Sequence, residues 1–126
     1  MNSTDKISIQ PLKSSKAIAQ IIASGASFLK YPILIKWQTE LKSNSGEADF
    51  LFTPLVSAKK IKTAVARNLI KRRIREAVRL NPPPVLQAGE FKIYTLQAVY
   101  IYLAKEEMEY KTIEKSVKKI HSQISH

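Results

Sequence analysis

The 126-residue sequence contains no cysteine and only three glycines. Without cysteine it forms no disulfide, no zinc–thiolate site and no thiol nucleophile. With so few glycines it has no Gly-rich loop of the kind that cradles phosphates in nucleotide-binding proteins. No apolar run approaches the roughly 18 residues that a membrane helix needs. The polar segment Met1–Gln10 also lacks the apolar core of a signal peptide, so we expect a cytoplasmic protein with no membrane partner.

Acidic residues are also scarce. Twenty-one Lys and Arg oppose ten Asp and Glu, which gives a net charge of +11 and an isoelectric point near 10.0. A domain this basic usually faces a polyanion, which is RNA, DNA or an anionic membrane surface. The composition therefore indicates a binding protein whose partner carries many negative charges.

The positive charge is concentrated in one segment, Ser57–Leu80. Within these 24 residues nine bases oppose one acid, Glu76, so the segment carries +8 and the other 102 residues carry only +3. A solubilising surface would spread and mix its charges, whereas a binding site concentrates one sign. The bases are Lys59, Lys60, Lys62, Arg67, Lys71, Arg72, Arg73, Arg75 and Arg79.

The pattern of this segment predicts a helix from Ala64 to Leu80. Ala66, Ile70, Ile74 and Ala77 recur at helical spacing, and Asn81 with the three prolines that follow ends the helix. The side opposite this apolar stripe carries an amide and four bases, and two further arginines flank the stripe. The outer residues are Asn68, Lys71, Arg72, Arg75 and Arg79, and the flanking ones are Arg67 and Arg73.

The remaining pattern predicts an α/β sandwich. A short helix begins at Ser14 or Ser15 and ends at Gly25, and strands follow at residues 31–40, 49–57 and 91–103. Pro54 predicts an edge position or a bulge for the second of these strands. The element order is α-β-β-α-β-α with room for one more short strand, which gives a two-layer sandwich with a three- to four-stranded sheet.

The last helix is amphipathic and its outer face is basic. Tyr110, Ile113, Val117, Ile120 and Ile124 step by three and four residues and form its apolar stripe. The outer lysines are expected to extend the anion-binding surface, and they are Lys111, Lys115, Lys118 and Lys119.

No catalytic or metal-binding constellation is evident. His121 and His126 lie near the end of the sequence without a metal-spaced partner, so we expect surface or frayed histidines. Glu106, Glu107 and Glu109 precede the last helix, where negative charge is an ordinary response to the helix dipole. The chain therefore resembles a binder and not a stand-alone enzyme.

Among polyanions, the pattern favours RNA over DNA. The cationic face offers one amide, Asn68, for base edges, so it suits phosphates better than sequence readout. No helix-turn-helix spacing or dimer seam is evident. We therefore expect a flexible polar tail at residues 1–10 and a single RNA-binding domain at residues 11–126.

The run from Lys59 to Ala77 closely resembles the signature of the bacterial ribonuclease P protein subunit. It contains the family's Lys-Lys pair, Ala-Val, Arg-Asn, an apolar residue, Lys-Arg and Arg-Glu in the same order and spacing. Leu69 stands where the family has the second arginine of Arg-Asn-Arg, and Arg73 is expected to compensate. A weaker likeness extends over roughly residues 10 to 122.

The resemblance implies a fold and a function. The family fold is an α/β sandwich with a left-handed strand–helix–strand crossover. The chain would be a subunit of the ribonucleoprotein endonuclease that removes the 5′ leader of precursor tRNA. Its partners would be the catalytic RNA and precursor tRNA, with no protein partner required. The RNA would cleave the phosphodiester with Mg²⁺ that it binds itself, so the chain would hold no metal and no catalytic residue.

The resemblance also implies two sets of site residues. The catalytic RNA would contact Arg67, Asn68, Lys71, Arg72 and Arg75, with Lys59 and Lys60 at the edge of the contact. The charge pattern adds Lys62, Arg73 and Arg79 to the expected RNA-binding residues. The leader would lie in a cleft between the sheet and the first helix, at Lys16, Ile18, Ile22, Lys36 and Trp37. Trp37, Phe28 and Tyr31 would each either stack on leader bases or belong to the core.

Two other functions remain open from the residues alone. One is a general RNA-binding or ribosome-associated module without a role in tRNA processing. The other is a protein that docks on acidic protein surfaces.

Overall fold

The computed structural model describes residues 7–43, 46–87 and 89–124, and this part of the chain forms five strands and three α-helices. In chain order they are β1 (Ile9–Pro11), α1 (Ser15–Ser24), β2 (Ala26–Lys30), β3 (Ile33–Leu41), β4 (Phe50–Val56), α2 (Ala64–Leu80), β5 (Tyr94–Tyr102) and α3 (Tyr110–Gln123). Two short 3₁₀ helices, Pro84–Gln87 and Gly89–Lys92, connect α2 to β5.

The strands form one mixed sheet in the order β1-β4-β5-β3-β2. β3 pairs antiparallel with β2 and β5, whereas β4 pairs parallel with β1 and β5. Because β4 and β5 are adjacent and parallel, α2 is the crossover that returns the chain to the same end of the sheet. The predicted strand–helix–strand unit is confirmed, and its left hand stays a prediction from the resemblance.

Helices cover both faces of the sheet. Alternate residues such as Ile35 and Phe52 point to one face, where they form the main core with α2 and α3. The opposite face packs on α1 through a smaller cluster in which Ile21 contacts the region of Val99. The predicted α/β sandwich is confirmed, with α1 as a partial third layer.

The predicted count of three to four strands is wrong, because β1 and β2 are additional. β1 has only three residues, and its last residue is Pro11. β2 is an edge strand with four of its five residues exposed, so its sequence shows no alternation of apolar and polar residues. Ile9 and Gln10 pair with β4, so they do not belong to the flexible tail that was expected at residues 1–10, and residues 1–6 lie outside the described part.

Pro54 lies inside the sheet on a strand whose outer side is locally open. The Phe52 carbonyl accepts a hydrogen bond from the Leu12 N–H at 2.9 Å, so the backbone of Phe52 faces β1. The backbone nitrogen of Pro54, two residues further along β4, points to the same side of the strand, but the pairing with β1 has already ended at Phe52. The missing N–H of Pro54 therefore costs the sheet no ladder hydrogen bond, and the expected edge position holds at this residue.

Helix α1 begins and ends where the sequence predicts. The Ser14 hydroxyl accepts a hydrogen bond from the Ala17 N–H at 3.1 Å, and the Gly25 N–H donates to the Ile21 carbonyl at 2.8 Å. Gly25 has a φ of −72°, so its backbone does not require glycine. What requires glycine is close approach, because an added Cβ would lie 2.6 Å from the Ile21 oxygen and 2.9 Å from the Trp37 oxygen.

We expect Gly25→Ala to destabilise the protein by about 1–3 kcal/mol, because both contacting atoms belong to the backbone and one of the two backbone segments must move. The matched control is Gly89→Ala, since an added Cβ there meets no atom within 4 Å. Urea unfolding of the two variants is the measurement. Equal stability of the two variants would contradict the close-approach explanation.

Candidate nucleic-acid interface

Helix α2 is one uninterrupted rod that is anchored along a single side. The Thr63 hydroxyl caps it by accepting from the Ala66 N–H at 3.2 Å. Its buried residues are Ile70, Ile74, Ala77 and Val78. Val78 is buried although the sequence pattern did not include it in the apolar stripe. Ala66, which the pattern did include, is only half-buried. The opposite side of the rod therefore faces solvent over its whole length.

The outward side carries most of the predicted cationic set. Arg72, Arg75 and Arg79 are exposed on α2 together with Asn68, and Lys59 and Lys62 are exposed in the segment before the helix. Within the described part of the chain, the heads of these six side chains make no hydrogen bond or ion pair to another residue. We call these six residues the α2 surface. Fixed guanidinium and ammonium groups on a rigid rod attract phosphates without reorganisation of the backbone.

Three of the predicted bases are instead bonded to the protein itself. The Lys60 ammonium donates to the Leu103 carbonyl at 3.1 Å, and the Arg67 guanidinium donates to the Ile61 carbonyl at 2.8 Å. Arg73 donates to the Met108 carbonyl at 2.7 Å. These three side chains bind carbonyl groups in the segment before α2 and in the connection between β5 and α3. Their charged groups are therefore less available for RNA than those of the α2 surface.

Arg73 is the base that was expected to compensate for Leu69. Its guanidinium also forms an ion pair with Glu107 at 3.0 Å and points to the connection between β5 and α3. Leu69 is half-buried on the neighbouring part of the helix. The geometry therefore does not favour this compensation, and a role of Arg73 in RNA binding stays a prediction.

Lys71 occupies a different environment from the α2 surface. It is half-buried and lines a crevice of about 360 Å³ at the carboxyl ends of β4 and β5. Lys60 lies in the same crevice, and the remaining wall is mostly apolar, with Leu55 and Ile101. Lys71 thus extends the cationic region toward the carboxyl ends of β4 and β5.

The second predicted site lies on the other face of the sheet, between α1 and the strands. Lys16 and Gln20 of α1 line a crevice of about 430 Å³ together with Glu40 and Gln97 of the sheet. The Gln38 amide donates to the Gln97 side-chain oxygen at 2.7 Å across β3 and β5. Gln38, Glu40 and Gln97 were not among the predicted residues.

The alternation of side chains along a strand was the sequence signal that could have predicted two of these cleft residues, Gln38 and Glu40. Lys36, Gln38 and Glu40 are every second residue of β3, so they share one face. Ile18 packs against the smaller core cluster and Ile22 is 40% exposed, and neither lines the crevice, so their contact with the leader stays a prediction. Lys36 donates from its ammonium to the Ile22 carbonyl at 3.1 Å, so it closes the carboxyl end of α1.

The placement of Trp37 in the leader cleft is wrong. Because side chains alternate along a strand, Trp37 points to the face opposite Lys36, where it packs against the core under α2 and α3. Phe28 packs against the same core, so it too is a core residue. Tyr31 is 59% exposed in the turn after β2, and its role in stacking stays a prediction.

The expectation that His121 is a surface histidine is wrong. The residue is 3% exposed, and its Nε2 lies 2.6 Å from the Tyr100 hydroxyl. Its Nδ1 donates to the carbonyl of Asn81, which caps the carboxyl end of α2. Burial lowers the pKa of His121 to about 4, against the opposing effect of the Asn81 carbonyl. His126 lies outside the described residues.

Acidic side chains near α3 are engaged in structural contacts. Glu107 pairs with Arg73, and Glu114 accepts from the Asn81 amide at 3.1 Å. Within residues 7–43, 46–87 and 89–124, no group of three or more His, Asp and Glu side chains is arranged to hold a metal ion. No helix in that part is long and apolar enough to cross a bilayer.

Fold and surfaces together define a class. The chain is a small basic α/β sandwich protein with an exposed cationic crossover helix on one face and a polar cleft on the other. The model of the Ribonuclease P family matches residues 9–125. The chain therefore belongs to the ribonuclease P protein family, as the signature run predicted, and this membership implies a part in tRNA processing within a ribonucleoprotein.

Known relatives agree with this assignment. The chain is 30% identical over 105 residues to the ribonuclease P protein component of Porphyromonas gingivalis, covering 81% of this chain and 73% of that protein. The ribonuclease P protein of Thermotoga maritima has a TM-score of 0.69 at 18% identity, covering 92% of this chain and 98% of that one. The protein from Staphylococcus aureus has a TM-score of 0.63 at 23% identity, covering 91% and 93%. These structures match in fold.

Proposed function

We propose that this protein binds the catalytic RNA of ribonuclease P and assists that RNA in removing the 5′ leader of precursor tRNA. The observation that carries the proposal is the uninterrupted, outward-facing cationic side of α2, which except for Arg79 lies within the family's signature run. In this proposal the α2 surface neutralises phosphates of the folded RNA and releases their counterions. The complex would act in the cytoplasm, where tRNA precursors are made.

The leader of the substrate is proposed to lie in the cleft between α1 and the sheet. The cleft offers the exposed side chains of Lys16 and Gln20, which can hydrogen-bond to single-stranded RNA, beside the carboxylate of Glu40 and the hydrogen-bonded pair of Gln38 and Gln97. Because α1 and α2 pack on opposite faces of the sheet, the leader and the catalytic RNA would contact different faces of the protein. The protein would thus hold both RNAs at once.

The proposed chemistry belongs to the RNA partner. In this proposal the catalytic RNA would carry out the cleavage, with Mg²⁺ that the RNA itself would bind. The protein supplies positive charge, so that two polyanions approach each other at a lower Mg²⁺ concentration. Its contribution is positioning and electrostatics, with no residue of the chain in contact with the reacting atoms.

One assay tests the proposed function. The protein is added to the ribonuclease P RNA of its own organism and precursor tRNA, at a Mg²⁺ concentration too low for the RNA alone. Matured 5′ ends are expected with both components and not with either alone. RNA binding without matured ends would indicate the general RNA-binding module, and no affinity for RNA would indicate a protein that docks on acidic protein surfaces.

A second measurement addresses the leader cleft. Lys16→Ala is expected to weaken binding of a precursor with a full leader by about fourfold at 0.15 M salt, which is the counterion release of one single-stranded phosphate contact. A precursor with a truncated leader is expected to bind both proteins equally. Lys13→Ala is the matched control, because Lys13 is exposed and does not line the crevice. Equal losses for both substrates would contradict the placement of the leader.

A further inference from the structure

Helix α3 carries a second cationic face. Lys111, Lys115, Lys118 and Lys119 are all exposed and fall on the side of α3 opposite its buried residues. At 1.5 Å per residue the stripe is about 12 Å long, which is enough to meet more than one phosphate of an RNA backbone. We call these four residues the α3 surface. Lys30 of β2 is also exposed, and its carbonyl accepts from the Ser116 hydroxyl on the buried side of α3 at 2.6 Å.

The α3 surface works against the stability of its own helix. Glu109 precedes α3 as its N-cap residue, but within the first turn no residue is acidic and Lys111 is basic, next to the positive end of the helix dipole. Lys111 and Lys115, and again Lys115 and Lys119, are like charges at i,i+4, which destabilise a helix by a few tenths of a kcal/mol per pair. A helix that needed only solubility would mix the two signs, so the pattern indicates a negatively charged partner.

An acidic seam separates the α3 surface from the α2 surface. Glu107 pairs with Arg73 at 3.0 Å, and Glu114 contacts both the Asn81 amide at 3.1 Å and the Tyr110 hydroxyl at 3.3 Å. Burial, and then the charge and the hydrogen bond of Glu114, raise the pKa of Tyr110. A single phosphate strand crossing from one surface to the other would meet these carboxylates. The two surfaces are therefore suited to two separate strands.

We propose that the α3 surface binds a second backbone segment of the same catalytic RNA, apart from the segment on α2. Lysine presents a hydrated point charge without the planar fork of arginine, so the stripe suits phosphates and not base edges. The catalytic RNA is favoured over precursor tRNA because α3 lies on the α2 face of the sheet, whereas the leader cleft lies on the α1 face. The inference rests on the proposed function.

The first test is the salt dependence of binding to ribonuclease P RNA in the absence of substrate. Lys115→Gln with Lys118→Gln is expected to weaken binding by about 15- to 30-fold at 0.15 M salt and to make the slope of log K against log salt shallower by about 1.4 to 1.8. The control is Lys92→Gln with Lys105→Gln, which removes the same charge from exposed positions outside both surfaces. Equal slopes for the two double variants would overturn the inference.

The second test locates the RNA. The chain contains no cysteine, so Lys118→Cys, Arg72→Cys and Lys92→Cys each create one attachment site for an iron chelate that generates hydroxyl radicals. Cleavage of the catalytic RNA from positions 118 and 72 is expected at two different segments, and cleavage from position 92 is expected to be weak. Cleavage of one shared segment, or cleavage from 118 only when precursor tRNA is added, would overturn the inference.

Failure of the inference can be distinguished from failure of the proposed function. If the unmodified protein does not bind the catalytic RNA at all, the proposed function fails. If it binds, and substitutions on α2 weaken binding while those on α3 act like the control, only the inference fails. Because the two surfaces are proposed to contact different segments of the RNA, the losses from α2 and α3 variants are expected to add in free energy when combined.

Discussion

Replacing Arg72 and Arg75 together by alanine is expected to weaken binding of ribonuclease P RNA by about 15- to 30-fold at 0.15 M salt. This is the counterion release that two phosphate contacts provide, with a change in log–log slope of about 1.4 for single-stranded and 1.8 for duplex RNA. The fold should persist, because both side chains are exposed and alanine has the highest helix propensity. Filter binding over a range of salt concentrations is the measurement.

The control for this variant is Lys92→Ala with Lys105→Ala, which lowers the net charge equally. If the effect came from the overall charge of +11, the two double variants would weaken binding alike. If it comes from contacts on the rod, only the α2 variant changes the slope. An unchanged slope in the α2 variant would remove the basis of the proposed function, whatever the absolute affinity.

The α2 surface was predictable because all of its information is local. The spacing of Ile70 and Ile74 defines the buried side, Asn81 and the prolines define the end, and the angle of 100° per residue then places Arg72 and Arg75 outward. Partners from distant segments were not predictable in this way. Arg73 binds Met108, which is 35 residues away, so its head turns toward α3 instead of toward solvent.

The cleft was predicted in part, and the error has a simple physical cause. Lys36 and Trp37 are consecutive residues of β3, so they point to opposite faces, and no cleft on one face contains both. Choosing Lys36 for the α1 face would also have selected Gln38 and Glu40. Gln97 was not accessible by the same argument, because its pairing with Gln38 depends on the register of β3 against β5.

His121 shows the limit of arguments from position in the sequence. Its partners, Tyr100 and Asn81, are 21 and 40 residues away, and only the packing of α3 against α2 and β5 brings them together. A carbonyl oxygen only accepts, so the neutral ring donates from Nδ1 to Asn81 and accepts at Nε2 from the Tyr100 hydroxyl. Burial raises the pKa of Tyr100, so this hydroxyl keeps its proton. The contact fastens the carboxyl end of α2 to α3.

We expect the free energy of unfolding to fall as the pH drops below 6.5, because His121 must enter the folded core uncharged. Its pKa is about 4 in the folded protein and about 6.5 in an unfolded chain, so between these values the unfolded chain binds the extra proton. The contribution of His121 to the free energy of unfolding is thus fully present above pH 6.5 and is lost as the pH falls toward 4. The loss between pH 7 and pH 5 is expected to be about 2 kcal/mol.

Urea unfolding of the protein and of two variants isolates this contribution. His121→Gln removes the titrating group, so its stability should be lower at pH 7 but should fall by about 2 kcal/mol less between pH 7 and pH 5. Tyr100→Phe removes one hydrogen bond and keeps the buried ring, so it should retain the full pH dependence. Identical pH slopes for His121→Gln and the unmodified protein would contradict this prediction, because they would mean that the folded core accepts a charged imidazole at the end of α2.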